Sequence, residues 1–263
     1  MQHDRPVPVS CNHPECMHAE LERFVTWPNA VTGVRTGMSV VLSSLGTANG
    51  SLSLLVVGLA VYWAGDVADG ALARVMRRET RIGATLDIAC DRACAIAFYV
   101  GLLSIQPDVL APVAVYLLNF LVVDLILSLA FLRWPISSPN YFYLADWRIW
   151  FWNWSKPAKA ANSALFTLAL LWLQLPLVTL AIALALLLIK IGSLIRLALL
   201  PSPPPADCAF ELKNLSVSVE RAAAEPRALL RSRTIRWNAL SWHDRHARRA
   251  SQSGRSASAR AGR

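Results

Sequence analysis

Long apolar stretches alternate with short polar connections between residues 27 and 200. Most of these stretches approach the roughly 20 residues that an α-helix needs to cross the hydrocarbon core of a bilayer. The pattern predicts an all-α, polytopic membrane domain over residues 27–200. We place its six membrane-spanning helices at residues 31–47, 52–69, 83–105, 110–132, 160–175 and 177–200.

The two ends of the chain lack such apolar stretches. Residues 1–26 form a polar arm without the apolar core of a secretory signal. Residues 201–263 begin with a proline-rich run and carry twelve Lys and Arg against five Asp and Glu. We predict that this basic tail is disordered and attracted to anionic lipid rather than to nucleic acid.

Cysteine and histidine side chains in the polar arm have the chemistry of metal ligands. They are Cys11, His13, Cys16 and His18. Their spacing matches no established zinc-site pattern, so a loosely folded arm is the preferred interpretation and a metal site is the alternative. The whole chain contains five scattered cysteines, an odd number that predicts no disulfide framework.

Composition and the placement of basic residues agree with a membrane protein. Apolar residues make up 55% of the chain, and the mean hydropathy is +0.40, which argues against soluble domains. The connections at 47–52, 105–110 and 175–177 contain no Lys or Arg, whereas the alternate connections are basic. Because basic connections stay in the cytoplasm, we predict a plasma-membrane protein with both termini in the cytoplasm.

The connection at residues 133–159 is rich in aromatic side chains. It holds five of the ten tryptophans, Trp134, Trp147, Trp150, Trp152 and Trp154. Aromatic and basic residues at this density are typical of a segment in the headgroup region. An interfacial anchor is the preferred interpretation, and a lid or lipid-access surface is the alternative.

Four carboxylates lie within or beside the second and third predicted helices. Asp66 and Asp69 are three residues apart and Asp87 and Asp91 are four apart, so each pair shares one helix face. Intramembrane acids are costly and usually functional. Four converging acids stay ionised by sharing cations, and all-oxygen ligands favour Mg²⁺ or Mn²⁺. Acids solvated at ordinary helix ends are the alternative.

The segment that contains these acids reads D-x2-D-G-x2-A-R-x8-G-x3-D-x3-D, from Asp66 to Asp91. This spacing resembles the signature of the CDP-alcohol phosphotransferase family at every fixed position. The resemblance implies two neighbouring membrane helices that bind two divalent ions and hold the CDP group. An acceptor alcohol then attacks the phosphorus and CMP leaves. A homodimer is expected on the same ground.

The resemblance also implies roles for individual residues. Asp66, Asp69 and Asp87 would be metal ligands. Asp91 would be a ligand of the second ion or the catalytic base that takes the proton of the acceptor. The CDP group would be bound by Asp69, Gly70, Ala73, Arg74 and Gly83.

Several basic residues are candidates for contact with a substrate phosphate. They are Arg35, Arg92, Lys156, Lys159 and Lys190. Arg35 ends a segment that resembles the P-N-x-x-T-x-x-R sequence of many family members, and it either contacts phosphate or snorkels toward headgroups. Lys156 and Lys159 lie in a segment with a weaker resemblance to the G-K-x-K-T-x-x-Q sequence of phosphatidylglycerophosphate synthases.

Two of the basic residues lie within the sixth predicted helix. Arg196 is near its end and can snorkel to the membrane surface. Lys190 lies deeper, where an unpaired charge is costly. We therefore expect Lys190 to pair with Asp124 of the fourth helix, with contact to an anionic substrate as the alternative.

The motif predicts the reaction class better than the substrate. Residues 80–92 resemble the corresponding segment of actinobacterial phosphatidylinositol phosphate synthases, which use CDP-diacylglycerol and a phosphorylated alcohol. The Y-x-K-A-R-A-E-like segment of those enzymes is replaced here by residues 127–135. This replacement argues against a phosphorylated acceptor, so an unphosphorylated polyol or amino alcohol is open beside inositol phosphate and glycerol phosphate.

We therefore expect a transferase of phospholipid synthesis that moves a phosphatidyl group from CDP-diacylglycerol to a small alcohol. One alternative is transfer from a soluble CDP-alcohol to a lipid acceptor. Another is a catalytically idle membrane scaffold or regulator. A transporter is disfavoured, because the charged residues cluster at one face of the membrane instead of near its midplane.

Overall fold

The computed structural model describes residues 15–16 and 22–200. Within these ranges the chain is helical, and its extended pairing is limited to one antiparallel bridge between Cys16 and Ile136. Seven segments that contain α-helix follow in chain order: α1 (Trp27–Ala48), α2 (Leu52–Val75), α3 (Arg81–Ile105), α4 (Pro107–Arg133), α5 (Trp147–Asn153), α6 (residues 156–173) and α7 (Pro176–Leu199). A 3-10 helix, Pro139–Leu144, lies between α4 and α5. The predicted all-α class is confirmed for these residues.

Four helices of the described part of the chain are long and apolar enough to cross a membrane, namely α2, α3, α4 and α7. They coincide with four of the six predicted spans. The other two predicted spans coincide with α1 and α6, whose polar residues lower their hydropathy. The count of six spans therefore stays a prediction.

α1 buries its polar face and exposes its apolar face. Its buried positions include Thr32, Arg35 and Ser39, whereas Val34 and Met38 are exposed. This arrangement is the reverse of a helix in a soluble protein and suits a helix that faces lipid on one side. The polar side of α1 packs against α2 and α3, and so positions polar groups inside the domain.

α2 continues beyond its predicted end at residue 69 and closes at Val75. Arg77 adopts a left-handed conformation with φ of 50°. The amides of Arg77 and Arg78 donate to the carbonyls of Arg74 and Ala73, which is the Schellman arrangement of a helix end. The chain then reverses directly into α3.

An apolar core joins α2, α3, α4, α6 and α7. Phe98, Leu102, Val113 and Phe166 are fully buried in it. Tyr116 of α4 stacks on Phe166 of α6, with ring centroids 4.2 Å apart. This contact holds α4 against α6 near the middle of the domain.

The aromatic segment 133–159 shares a second apolar cluster with α3, α4 and α7. Trp134 and Phe142 pack edge to face at 5.0 Å, and Ile136 and Ile149 are buried beside them. Trp147, Phe151 and Trp152 of α5 remain exposed and are available to an interface.

Residues of the predicted polar arm contact this segment. The Glu15 carbonyl accepts from the Ser137 amide at 2.9 Å, and Cys16 is buried in the apolar cluster. The Glu22 carboxylate accepts from the Arg81 and Ile82 amides and caps α3. At these positions the expected loose fold is wrong. Cys11, His13, His18 and the tail 201–263 lie outside the described residues.

Arg196 has a protein partner instead of the predicted headgroup. Its guanidinium contacts both carboxylate oxygens of Asp146 at 2.7 to 3.0 Å. Asp146 is also the N-cap of α5 and accepts from the Ile149 amide. The pair therefore ties the aromatic segment to α7.

Candidate active site

The end of α2, the start of α3 and the polar face of α1 surround a cavity of about 260 Å³. Asp66, Asp69, Asp87 and Asp91 all line it. Helical periodicity turns each pair toward this space, as the spacing predicts. The Schellman turn at the end of α2 brings the two pairs together.

Three of the aspartates form a group with the geometry of a metal site. Oxygen atoms of Asp66, Asp69 and Asp87 all lie within 4.8 Å of one another. Asp69 is buried, whereas the side chains of Asp66 and Asp87 are 45% and 38% exposed. A set of carboxylate oxygens fits a hard divalent cation such as Mg²⁺ or Mn²⁺. Asp91 lies outside this group, one turn farther along α3.

Arg35 of α1 lies among all four acids. Its Nε donates to Asp69 at 2.7 Å, and its Nη2 contacts Asp87 at 2.5 Å and Asp91 at 3.0 Å. Asp66 is 3.7 Å from the same nitrogen. Arg35 is only 3% exposed, so the snorkelling interpretation is wrong. Its contact with a substrate phosphate stays a prediction.

Thr32 and Arg35 act together on Asp69. They are three residues apart on α1, so both side chains point to the same side of the helix. The Thr32 hydroxyl donates to Asp69 Oδ2 at 2.7 Å, the oxygen that also accepts from Arg35. The carboxylate of Asp69 is therefore fixed in orientation by two donors.

Gly65 provides the space through which Arg35 passes. A Cβ atom built on Gly65 would lie 2.6 Å from both Cβ and Cδ of Arg35. Such a distance is far inside van der Waals contact, so any side chain at position 65 would displace the arginine. Sequence analysis missed this role, because Gly65 lies just before the motif.

Asp124 binds two cations in the half of the cavity farther from the metal-site group. Its Oδ1 contacts Lys190 Nζ at 2.5 Å, and its Oδ2 contacts Arg92 Nη2 at 2.5 Å. The predicted pairing of Lys190 with Asp124 is confirmed. The second partner, Arg92, was not predicted. Both cations line the cavity, and their contact with a phosphate stays a prediction.

The aromatic segment forms one wall of the same cavity. Ser138, Asn140, Trp154 and Lys159 line it, and Lys159 Nζ donates to Asn140 Oδ1 at 2.5 Å. The segment thus lies beside the site as well as carrying exposed aromatic rings. Lys156 is exposed and is not among the residues that line the cavity.

Two polar contacts fasten this wall to the α2–α3 connection. The Arg81 guanidinium donates to the carbonyls of Ile136, at 3.1 Å, and of Trp134. The Tyr141 hydroxyl donates to the Glu79 carboxylate. Burial and the bond to Glu79 hold the pKa of Tyr141 above its usual value. The hydroxyl therefore remains a donor at neutral pH.

The remaining predicted nucleotide-binding residues also reach the cavity. Gly70, Ala73 and Arg74 of α2 line it, as does Gly83 of α3. Thr80 caps α3 by accepting from the Gly83 amide at 3.0 Å. The first turn of α3 therefore contributes Gly83 to the cavity lining.

The chain matches one family of known proteins. The family model described as CDP-alcohol phosphatidyltransferase matches residues 25–194, well over half of the chain. The matched range includes α1 to α6, most of α7 and the residues that line both halves of the cavity. No curated protein and no solved structure matches the chain.

Proposed function

Since this chain belongs to the CDP-alcohol phosphatidyltransferase family, we propose that it moves a phosphatidyl group from CDP-diacylglycerol to a small hydroxylic acceptor and releases CMP. Family membership implies a transferase of phospholipid synthesis that uses a CDP-alcohol donor and an acceptor alcohol. The observation that carries the proposal is the meeting of Asp66, Asp69, Asp87 and Asp91 at one cavity.

The acids provide the ligands for divalent cations. Asp66, Asp69 and Asp87 would hold one ion, since their oxygens already lie within 4.8 Å of one another. Asp91 would contribute to a second Mg²⁺ or Mn²⁺ site or act as the base. Bound divalent cations neutralise charge on the diphosphate of the donor during phosphoryl transfer.

The reaction forms one phosphorus–oxygen bond and breaks another. The acceptor hydroxyl oxygen bonds to the phosphorus that carries diacylglycerol, and the bond from that phosphorus to CMP breaks. CMP leaves with the electron pair. Asp91 takes the proton of the attacking hydroxyl. Its position supports this role, because it lines the cavity one turn beyond Asp87 and next in sequence to Arg92.

The nucleotide would lie against the small residues near the acids. Gly70, Ala73 and Gly83 present no large side chain, which lets the CDP group approach the backbone of α2 and α3. Arg74 on the same helix supplies a positive charge for the diphosphate. Asp69 would contribute to binding of the CDP group through its carboxylate, which is fixed in orientation.

An apolar groove between α2 and α6 supports a lipid substrate, as CDP-diacylglycerol is. Leu52, Val56, Leu59 and Trp63 of α2 line it together with Trp172 of α6. Trp63 is three residues before Asp66, so the groove begins within about one helical turn of the acids. A diacylglycerol chain suits such a surface.

The topology that fits this chemistry has six spans, with both termini in the cytoplasm and the acids at the inner leaflet of the plasma membrane. Basic residues at the α2–α3 connection and in the aromatic segment support this orientation. A homodimer is proposed from the family alone.

Purified protein in nanodiscs tests the reaction. With CDP-diacylglycerol, Mn²⁺ or Mg²⁺ and a panel of small alcohols, we expect CMP release that requires both the metal and one class of acceptor. Addition of EDTA should abolish the release. CMP release only from a CDP-choline-type donor with diacylglycerol would instead support the reverse arrangement of substrates. No release under any condition would leave the idle scaffold as the better description.

A further inference from the structure

α5 presents one face that the described part of the protein leaves uncovered. Trp147 and Phe151 are four residues apart on this helix, as are Arg148 and Trp152, so the four side chains lie side by side. All four are exposed, and none of them lines the cavity. Lys156, just after the helix, is exposed as well. We call these five residues the α5 surface.

The rings of the α5 surface form a continuous aromatic patch. The ring centroids of Trp147 and Phe151 are 6.1 Å apart, and those of Phe151 and Trp152 are 5.6 Å apart. Trp147 also packs on Trp150, with centroids 4.8 Å apart. A tryptophan ring has an apolar body and a polar N–H, so it favours the boundary between an apolar layer and water. The patch therefore suits a membrane surface.

The opposite side of α5 is fixed to the domain. The Asn153 side-chain amide donates to the Ser193 hydroxyl of α7 at 2.9 Å. The Trp150 indole N–H donates to the Asn140 carbonyl at 2.7 Å. These bonds orient a helix of only seven residues, so the α5 surface is held facing away from the domain.

The last turns of α7 show the level at which α5 lies. The carboxylate of Asp146, the N-cap of α5, contacts Arg196 of α7 at 2.7 Å. Ile195 and Leu199 of α7 are exposed apolar residues close to Arg196 in sequence. α7 is long and apolar enough to cross a membrane. The α5 surface therefore lies where this helix leaves the apolar layer.

The exposed charge at this end of the domain is basic. Every exposed Lys and Arg of residues 22–200 lies just before α1, near the end of α2, in the α2–α3 connection or in the aromatic segment. The exposed acid of the same residues is Asp108, in the α3–α4 connection at the opposite end. Arg148 and Lys156 have no ion-pair partner among the described residues. Basic side chains in this position attract anionic headgroups.

From these observations we infer that the α5 surface binds anionic phospholipid, at a site separate from the cavity. Arg148 and Lys156 contact the headgroup phosphate, while the three exposed rings pack against the glycerol and the first acyl carbons. A zwitterionic headgroup carries a cation beside its phosphate, and that cation is repelled by the basic side chains. Anionic lipid is therefore preferred. This binding is independent of the transferase activity.

Retention of lipid tests the preference. The full chain is placed in nanodiscs with equal amounts of phosphatidylglycerol and phosphatidylcholine and is then extracted in mild detergent. Mass spectrometry counts the lipids that stay bound. We expect phosphatidylglycerol to exceed phosphatidylcholine about threefold or more. Equal retention of the two lipids overturns the inference and leaves the proposed function intact.

Paired substitutions locate the bound lipid. Arg148→Gln with Lys156→Gln should lower the retained ratio about twofold or more, whereas Arg148→Lys with Lys156→Arg should keep it. Neither residue lines the cavity, so a lipid bound in the cavity does not respond to these changes. Arg23→Gln with Arg77→Gln is the matched control, because it removes the same charge from exposed positions outside α5. Equal losses in the two Gln pairs show only a general attraction and overturn the inference.

A spin label tests the depth of the α5 surface. Trp152→Cys in a variant without the five native cysteines is labelled with a nitroxide, and Arg77→Cys in the α2–α3 connection is the control. Collisions with oxygen, relative to those with a water-soluble nickel complex, should be more frequent at position 152 than at position 77. Equal accessibility at the two positions places α5 in water and overturns the inference.

Discussion

Arg35 is a single cation shared by four carboxylates. Like charges so close together repel one another, and a guanidinium with donors in a planar fork can contact several of them at once. Thr32 adds a second donor to Asp69. The acids are therefore held in place by the protein itself, which pre-organises them for cation binding.

Gly65→Ala tests whether this arrangement depends on the space beside α1. The added methyl would lie 2.6 Å from Arg35 carbons, so we expect overpacking that destabilises the protein by about 1–3 kcal/mol and activity reduced at least tenfold. The measurements are thermal unfolding in detergent and CMP release. Gly33→Ala is the control, since a Cβ there meets nothing within 4 Å. Equal behaviour of the two variants would contradict the assignment.

Asp91→Asn distinguishes a base from a metal ligand. If Asp91 takes the proton, CMP release should fall by about 10²- to 10⁴-fold, while Mn²⁺ and CMP binding measured by calorimetry stay close to wild type. Asp69→Asn is the comparison and should weaken Mn²⁺ binding itself. Retained turnover in Asp91→Asn would remove this residue from the mechanism.

At the scale of elements, the aromatic segment is a packed unit that joins three parts of the domain. Its contacts reach α3 through Arg81, the α2–α3 connection through Glu79 and α7 through Arg196. Exposed rings on α5 suit the interfacial anchor, whereas Asn140 and Lys159 line the cavity. Its role beside the substrate stays a prediction.

Tyr141→Phe should loosen this unit. Loss of one hydrogen bond to a charged group typically removes about 1.5–3 kcal/mol, so we expect a lower thermal midpoint. We also expect easier proteolysis between residues 133 and 159. Tyr143→Phe is the control, because the Tyr143 ring packs against Trp150 and its hydroxyl has no hydrogen-bond partner among the described residues. Identical protease patterns for both variants and wild type would contradict a tethering role.

Tyr141→Phe should also differ from wild type in its response to pH. Because the pKa of Tyr141 is raised by burial and by Glu79, the unfolded chain loses this proton first as the pH rises. The stabilisation is therefore complete below the unfolded pKa of about 10 and declines above it. Tyr141→Phe should show a smaller decline of the thermal midpoint between pH 9 and about 11 than wild type. An equal decline in both proteins would show that other titratable groups dominate the pH dependence of the thermal midpoint.

At the scale of the whole molecule, the helices of the described part of the chain carry their polar chemistry at one end. The acids, the basic α2–α3 connection and the aromatic segment lie around one cavity, while the α1–α2 and α3–α4 connections contain no basic residue. Such an asymmetry is typical of a membrane protein with a fixed orientation.

Labelling of single cysteines tests the orientation. In a variant without the five native cysteines, Asn49→Cys and Asp108→Cys should react with an impermeant maleimide added outside intact cells. Arg78→Cys should react only after the membrane is opened. Labelling of Asn49→Cys and Arg78→Cys from the same side would contradict the predicted topology.

The amino-acid sequence by itself determined the helical class, the approximate positions of the long apolar helices and the pairing of acids on two helix faces. These features depend on residues that are close in sequence. The length of an apolar stretch is compared with the bilayer thickness, and helical periodicity decides which neighbouring residues share a face. The pairing of Lys190 with Asp124 was also predictable. A lysine deep within a predicted membrane helix needs an acidic partner, and few acidic side chains lie in the other predicted helices.

Only the tertiary structure decided how distant residues share the cavity. Arg35 meets Asp87 and Asp91 although more than fifty residues separate them, and Gly65 matters only because that arginine crosses it. The π-helical turn Asn119–Val123 within α4 likewise follows from packing, since helix propensity alone favours a regular α-helix there. Distances between remote side chains depend on how whole helices pack, and no local pattern contains that information.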